Sequence, residues 1–243
     1  MSKVKNFIHI LLLGQSHVRA AHDPYPTVGK HWSYVKKIWN NESYYDFGIE
    51  RIMRLSLALL LFVFPGIYVR HILGLVGPIG RKMGIEFYVV FKLLLPIFLL
   101  KFHLTNHLFI AIFSGVMAFE TILYLASLIY LSDEYAKPII YRRSITTFLI
   151  NYIQVCFDYA VIYSYCNLNL SNFFKQQLTS NIQSVYFSFV TSTTVGYGDI
   201  TVNHPIGRLL VVTQVIVFLV FIALYLNFFV SKAPGAAIHN SKN

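Results

Sequence analysis

Between Thr193 and Asp199 the chain reads Thr-Thr-Val-Gly-Tyr-Gly-Asp, with glycines at alternate positions between two apolar stretches. Such a run can bare its backbone carbonyls inside a membrane. A cation leaving water loses a shell of oxygen ligands, and carbonyl oxygens are among the few groups that can replace them in a low-dielectric interior at little net cost. For those carbonyls to point towards one shared axis, residues must alternate between ordinary and left-handed dihedrals, which only glycine adopts without steric cost. Gly196 and Gly198 fit that need. One such strand supplies only one wall of a pore, so several copies are required.

The same seven residues resemble the selectivity filter of the tetrameric potassium channels. The resemblance extends over residues 144–230 to the family's pore unit of outer helix, pore helix, filter and inner helix. It implies a homotetramer of four copies. On the family pattern, the carbonyls of Thr194, Val195, Gly196 and Tyr197, with the Thr194 hydroxyl below them and Gly198 closing the strand, form successive ion sites. Tyr186, Val190, Thr193 and Asp199 stand where the family supports its filter, Tyr186 being placed to donate a hydrogen bond to Asp199. The competing reading of Gly-Tyr-Gly-Asp is a surface turn, since Gly and Asp are common turn residues. Against it stand the apolar pore-helix candidate Ser184–Ser192 before the glycines and Pro205 after them, a residue suited to the first turn of a helix, opening a long apolar run.

The sequence departs from the family at several points. Many relatives carry tryptophan at the position of Tyr186, and some bacterial ones carry glutamate at that of Val190. After Gly207 the inner helix, Ile206–Val230, has no glycine at which to bend, so the filter or the aromatic end Tyr225–Phe229 becomes the expected gate. No upstream helix repeats arginine at every third position, so few charges can move through the field and weak voltage dependence is expected.

Composition supports a polytopic, all-α membrane protein. Hydrophobic residues make up 56% of the 243, charged ones only 12%, and the mean hydropathy is +0.58, outside the range of an ordinary soluble domain. The net charge of +10 sits in segments flanking apolar runs, as topology signals do, with no stacking or groove-reading motif, so the partner it implies is the lipid bilayer and no nucleic acid. Cys156 and Cys166 lie too far apart along one helix for a disulfide. No acid/base pair, nucleophile elbow or metal-ligand cluster suggests an enzyme. The expected protein is a non-enzymatic potassium channel without cofactors, with K+ as the permeant ion, in a plasma membrane, the bacterial inner membrane by resemblance. A pore subunit of a potassium uptake transporter is the nearest alternative, and a membrane signalling protein with an incidental Gly-Tyr-Gly the next; a single near-complete filter per chain argues against the first.

Taken in order, residues 1–50 form a polar, basic segment. Its apolar run Phe7–Leu13 is flanked by basic residues, which favours a helix on the membrane surface over a cleaved signal, and its scattered histidines, His31 among them, are expected to be solvated. Residues 51–131 hold two or three membrane helices: a span kinked at Pro65-Gly66, a glycine-rich turn at Gly74, Gly77 and Gly80, and a helical hairpin of Glu86–Leu104 and His107–Leu131. Lys92 and Glu120 fall at similar depth in that hairpin and are expected to pair. His103 and His107 have metal-ligand spacing, but the turn between them breaks the helix. Residues 132–143, with Lys137, Arg142 and Arg143, read as a cytoplasmic linker, and 231–243 as a short cytoplasmic tail. Asp158, in the middle of the outer helix, needs a partner such as a tyrosine, Gln214 or a water. If all three upstream runs cross, the basic N-terminal segment lies outside, against the positive-inside tendency. Either one run is interfacial or re-entrant, the favoured reading, or the N-terminus is exported.

Overall fold

The structure is a computed structural model and describes residues 27–41, 48–75, 78–131 and 141–230. The run Phe7–Leu13 with His9, His17 and His22, the linker around Lys137, the side chains of Arg142, Arg143 and Tyr225–Phe229, and the tail 231–243 lie outside the described residues. Eight α-helices are described: α1 Thr27–Asn40, α2 Ile49–Leu60, α3 Pro65–Leu75, α4 Pro78–Lys101, α5 Leu108–Tyr130, α6 Tyr141–Asn169, α7 Asn181–Ser192 and α8 Pro205–Val230. No strand occurs among the described residues, the nearest approach being one antiparallel bridge between Phe174 and Val202.

Among the described residues, three helices are long and apolar enough to cross a membrane, over Leu108–Ser127, Ile145–Asn169 and Pro205–Ala223. A fourth crossing is reached only if the bent pair Ile49–Val63 and Pro65–Leu73 counts as one span. The bend is 66° and has a local cause. Pro65 pushes the residue before it out of the helical region, and Phe64 is extended, at φ −100° and ψ 148°. A bend of that size is the geometry of a broken span or a re-entrant loop. Helix α4 is 24 residues long, with Pro96 in its interior, and is not among the three.

Helix α6 is the axis of the fold. It packs against α4, α5 and α7. The expected short turn between two helices is present, α4 and α5 following one another through a single 3-10 turn at Leu104–Asn106, while each packs chiefly on α6. His103, left-handed at φ 54°, ends the first helix and His107 opens the second. The glycine-rich turn is also shorter than expected. Gly74 lies within α3 and Gly80 within α4, so only residues 76 and 77 separate the two helices.

Lys92 and Glu120 meet as expected, at 3.2 Å and both 5% exposed or close to it. Glu120 also accepts hydrogen bonds from the Tyr88 hydroxyl at 2.8 Å and from the Gly66 backbone at 2.8 Å. A Cβ at Gly66 would stand 2.5 Å from Glu120 Oε1, so only glycine lets the bent backbone reach the carboxylate. Lys92 donates onward to Thr121 Oγ1 at 2.6 Å, which lies 2.9 Å from Gln154 Oε1. The Gln154 amide donates to Asp158. The partner of Asp158 is thus Gln154, one turn earlier on its own helix, and neither a tyrosine nor Gln214. A buried polar chain so runs from the bend before α3, through α4 and α5, into α6.

His31, expected to be solvated, is not. It is buried, its Nε2 donating to the Ala58 carbonyl at 2.9 Å, and Phe62 packs edge-on to the ring at 4.8 Å. The amphipathic face of α1, with Tyr34, Val35 and Ile38 also buried, hides it against α2.

Burial, reinforced by the Arg70 charge and partly opposed by the bond to Ala58, holds the His31 pKa below 6.5. The undocked helix therefore binds the proton more readily, so docking of α1 is fully present above pH 6.5 and weakens as pH falls below it. Both tryptophans of the chain lie in α1, and their emission should shift to the red on acidification, while His31→Gln removes the shift; an unchanged profile in that variant would refute the assignment. Separately, Glu120→Leu strands the Lys92 charge and should cost about 3–5 kcal/mol of stability. In thermal unfolding, the Lys92→Leu/Glu120→Leu double variant should melt above the Glu120→Leu single variant, and simple additivity would show that the two charges do not depend on each other.

Candidate functional site

The site is built on α7. Ser180 and Gln183 form a reciprocal capping box at its first turn, which satisfies two amides that would otherwise be orphaned. The pattern Ser-x-x-Gln is a helix-start signal in the sequence, and it places the start at Asn181, three residues before Ser184. Along the helix, Ser184, Ser188 and Ser192 are all buried. Their spacing of four residues makes one small, polar face, which lets α7 approach the helices behind it closely.

Each of these contacts is specific. Ser188 Oγ donates to the Cys156 carbonyl at 2.7 Å. Ser192 Oγ lies 3.0 Å from the Tyr152 hydroxyl and 3.3 Å from Cys156 Sγ. Gln214, on α8, donates its amide to both Ser188 oxygens at 2.8 and 2.9 Å and accepts from the Tyr163 hydroxyl at 2.9 Å. At the other end of α7, Asn181 donates to the Leu100 carbonyl at 2.7 Å and accepts from Ser164 at 2.8 Å. The helix is thereby fixed to α4, α6 and α8. The sequence offers Gln214 as a partner for Asp158, whereas it meets Ser188 and Tyr163; the contacts of Ser188, Ser192 and Asn181 are not foreseen there, isolated polar residues within apolar runs being the available signal.

Beyond Ser192 the chain turns out of the helix without breaking contact with it. The amides of Thr193, Thr194 and Val195 donate to the carbonyls of Phe189, Thr191 and Val190 at 3.0, 3.1 and 3.2 Å. Thr194, Gly196 and Gly198 then lie at φ 57°, 57° and 79°, so every second residue is left-handed. Thr194 was not foreseen in this role, because a β-branched residue is unfavourable there and such strain persists only where the surroundings over-determine it, at a cost of about 1–3 kcal/mol. Nothing stands within 4 Å of a Cβ built on Gly196 or Gly198. The two glycines answer to backbone dihedral and not to crowding.

Tyr186 and Asp199 come together. The Tyr186 hydroxyl donates to Asp199 Oδ2 at 2.8 Å, and its ring lies parallel to that of Tyr197, 6.5 Å away. The bond to Asp199 holds the Tyr186 pKa above the ordinary 10.0, so the hydroxyl keeps its proton and remains a donor. Val190 contributes its carbonyl, and Thr193 Oγ1 bonds back to the Phe189 carbonyl at 2.9 Å.

The return path is equally constrained. Lys175 and Asn203 amides bond to the Thr201 and Phe173 carbonyls at 3.0 and 2.8 Å, pairing the loop before α7 with the segment after Asp199. Phe173, Phe174 and Phe187 cluster around Tyr163 beneath them. His204 Nδ1 accepts from the Ile206 amide at 3.2 Å, capping α8, whose first residue is Pro205. A Cβ at Gly207 would meet Val202 Cγ1 at 2.2 Å and Phe173 Cζ at 2.8 Å. Among the described residues no group of three His, Cys, Asp or Glu side chains could hold a metal ion.

Residues 146–233, a little over a third of the chain, match the family model described as Ion channel. No curated protein and no solved structure matches the chain significantly.

Proposed function

Starting from an ion channel domain in a multi-pass membrane protein, we propose that the chain is a potassium-selective channel that conducts K+ passively across a plasma membrane as a homotetramer. The observation that carries this reading is the left-handed backbone at Thr194, Gly196 and Gly198, since that alternation turns successive carbonyls to one side. In the proposed tetramer the carbonyls of Thr194, Val195, Gly196 and Tyr197 line the axis, the Thr194 hydroxyl adds a ligand at the inner end, and Gly198 completes the strand. Thr193, Val190, Tyr186 and Asp199 hold that strand from behind and above. In one copy Val195 is 52% and Tyr197 71% exposed, as befits a strand that forms one wall of four. Selectivity arises because carbonyl dipoles replace a water shell suited to K+. The protein supplies no energy source in this scheme, and the ion moves down its gradient.

The test is ion flux in proteoliposomes. Reversal potentials should follow the K+ gradient and hardly respond to Na+, and Gly196→Val should abolish flux or selectivity while leaving membrane insertion intact, because the cost falls on a left-handed position. Equal permeability to Na+ and K+, or a requirement for nucleotide or a co-transported ion, would overturn the proposal.

The bond between Tyr186 and Asp199 makes a second prediction. Tyr186→Phe removes the donor and keeps the ring. Current should decline faster during sustained opening with early selectivity unchanged, and Asp199→Asn should act alike without adding to it in the double variant. Single variants that behave like the parent, or effects that add, would show that the strand's outer end is held by packing alone.

A further inference from the structure

Helix α1 carries a surface that the pore does not use. Its buried stripe of His31, Tyr34, Val35 and Ile38 faces α2. On one edge of the outward side, Trp32, Lys36 and Trp39 follow at intervals of four and three residues, and so lie in a row. Trp32 is 49% and Trp39 68% exposed, and Lys36 is exposed between them. The helix contains Lys30, Lys36 and Lys37 and no acidic residue. Exposed tryptophan has two common explanations, a protein partner or a bilayer interface. Two indoles flanking a lysine on a helix attached to membrane spans fit the second, because indole rings settle at the headgroup level and lysine lets its methylenes lie along apolar surface while its ammonium reaches charge.

The helix is also held rigidly in place. Arg51 Nη2 donates to the Trp39 carbonyl at 2.8 Å, tying the end of α1 to the first turn of α2, where Ile49 and Ile52 are exposed. The Trp32 ring packs edge-on to Phe62 at 5.9 Å, beside the bend at Pro65. The helix is therefore tied at both ends to the bent element α2–α3.

We propose that the Trp32–Lys36–Trp39 edge of α1 is a docking surface for anionic lipid headgroups, and that α1 lies in the membrane interface as a lipid-reading collar around the bent segment α2–α3. The basic, acid-free composition selects negative over zwitterionic headgroups, each lysine near the surface favouring them about fivefold.

The sequence provides its own probe, since Trp32 and Trp39 are its two tryptophans. The full chain is reconstituted in vesicles mixing phosphatidylglycerol with phosphatidylcholine, with bromine near the headgroup end of the acyl chains of one lipid at a time, each at the same mole fraction. Tryptophan emission should be quenched in both, and more strongly when the bromine is on phosphatidylglycerol. Lys36→Gln should reduce that difference about fivefold without changing emission in detergent. Equal quenching by the two lipids would show immersion without headgroup preference and overturn the proposal. Red-shifted emission without quenching would assign a solvated face, and blue-shifted emission without quenching would assign a second copy of the chain as the cover; either overturns it as well.

Discussion

A segment proposed to offer its carbonyls to an ion cannot spend them on hydrogen bonds to itself. Its shape must be imposed by whatever holds its ends and its back. Here the near end is held by three consecutive amides bonded to the last carbonyls of α7, and the far end by the side chain of Asp199 in the grip of Tyr186. Between them, nothing stands within 4 Å of a Cβ built on Gly196 or Gly198. The conformation is thus set by its boundaries, and everything around it serves to keep those boundaries still. The serine face of α7, Gln214 on α8 and the phenylalanine cluster under the loops each remove one way in which the boundaries could shift.

The N-terminal helices solve a different problem. They bring Lys92 and Glu120 into an apolar bundle beside Asp158 of α6, where a charge is tolerated only with partners. Glu120 answers this by collecting an ammonium, a phenol and a backbone amide. The third of these belongs to the bend at Gly66, so the geometry of the bent segment and the neutralisation of the charge are one arrangement. Through Thr121 and Gln154 it reaches α6, on which α7 rests.

Much of this was legible because its causes are local. Proline at 65 forces an extended residue before it, glycines at 196 and 198 declare left-handed backbone, and equal distances from a turn bring Lys92 level with Glu120. What stayed hidden depends on packing across distant segments. His31 looks like any polar histidine until α2 covers it. Asp158 could have met several donors, and the one it meets lies four residues away on its own helix, an ordinary neighbour that no long-range pattern marks. Thr194 is the instructive case: intrinsic preference argues against a left-handed threonine, and the structure overrides that preference by bonding its amide to Thr191 and those on either side to α7. The start of α7 at Asn181 was readable from Ser180 and Gln183, a signal weaker to the eye than the apolar run that follows.

The close contact of Gly207 with Val202 and Phe173 has a mechanical meaning. It welds the first turn of α8 to the loop pair that carries the strand's outer end, so α8 behaves as a rod clamped at one end. A clamped rod of 26 residues has an arm of about 39 Å, and its deflection grows from nothing at the clamp to a maximum at the free tip. Small rotations near Gln214 are then amplified towards Val230, while the clamped end stays in register with the loops around it.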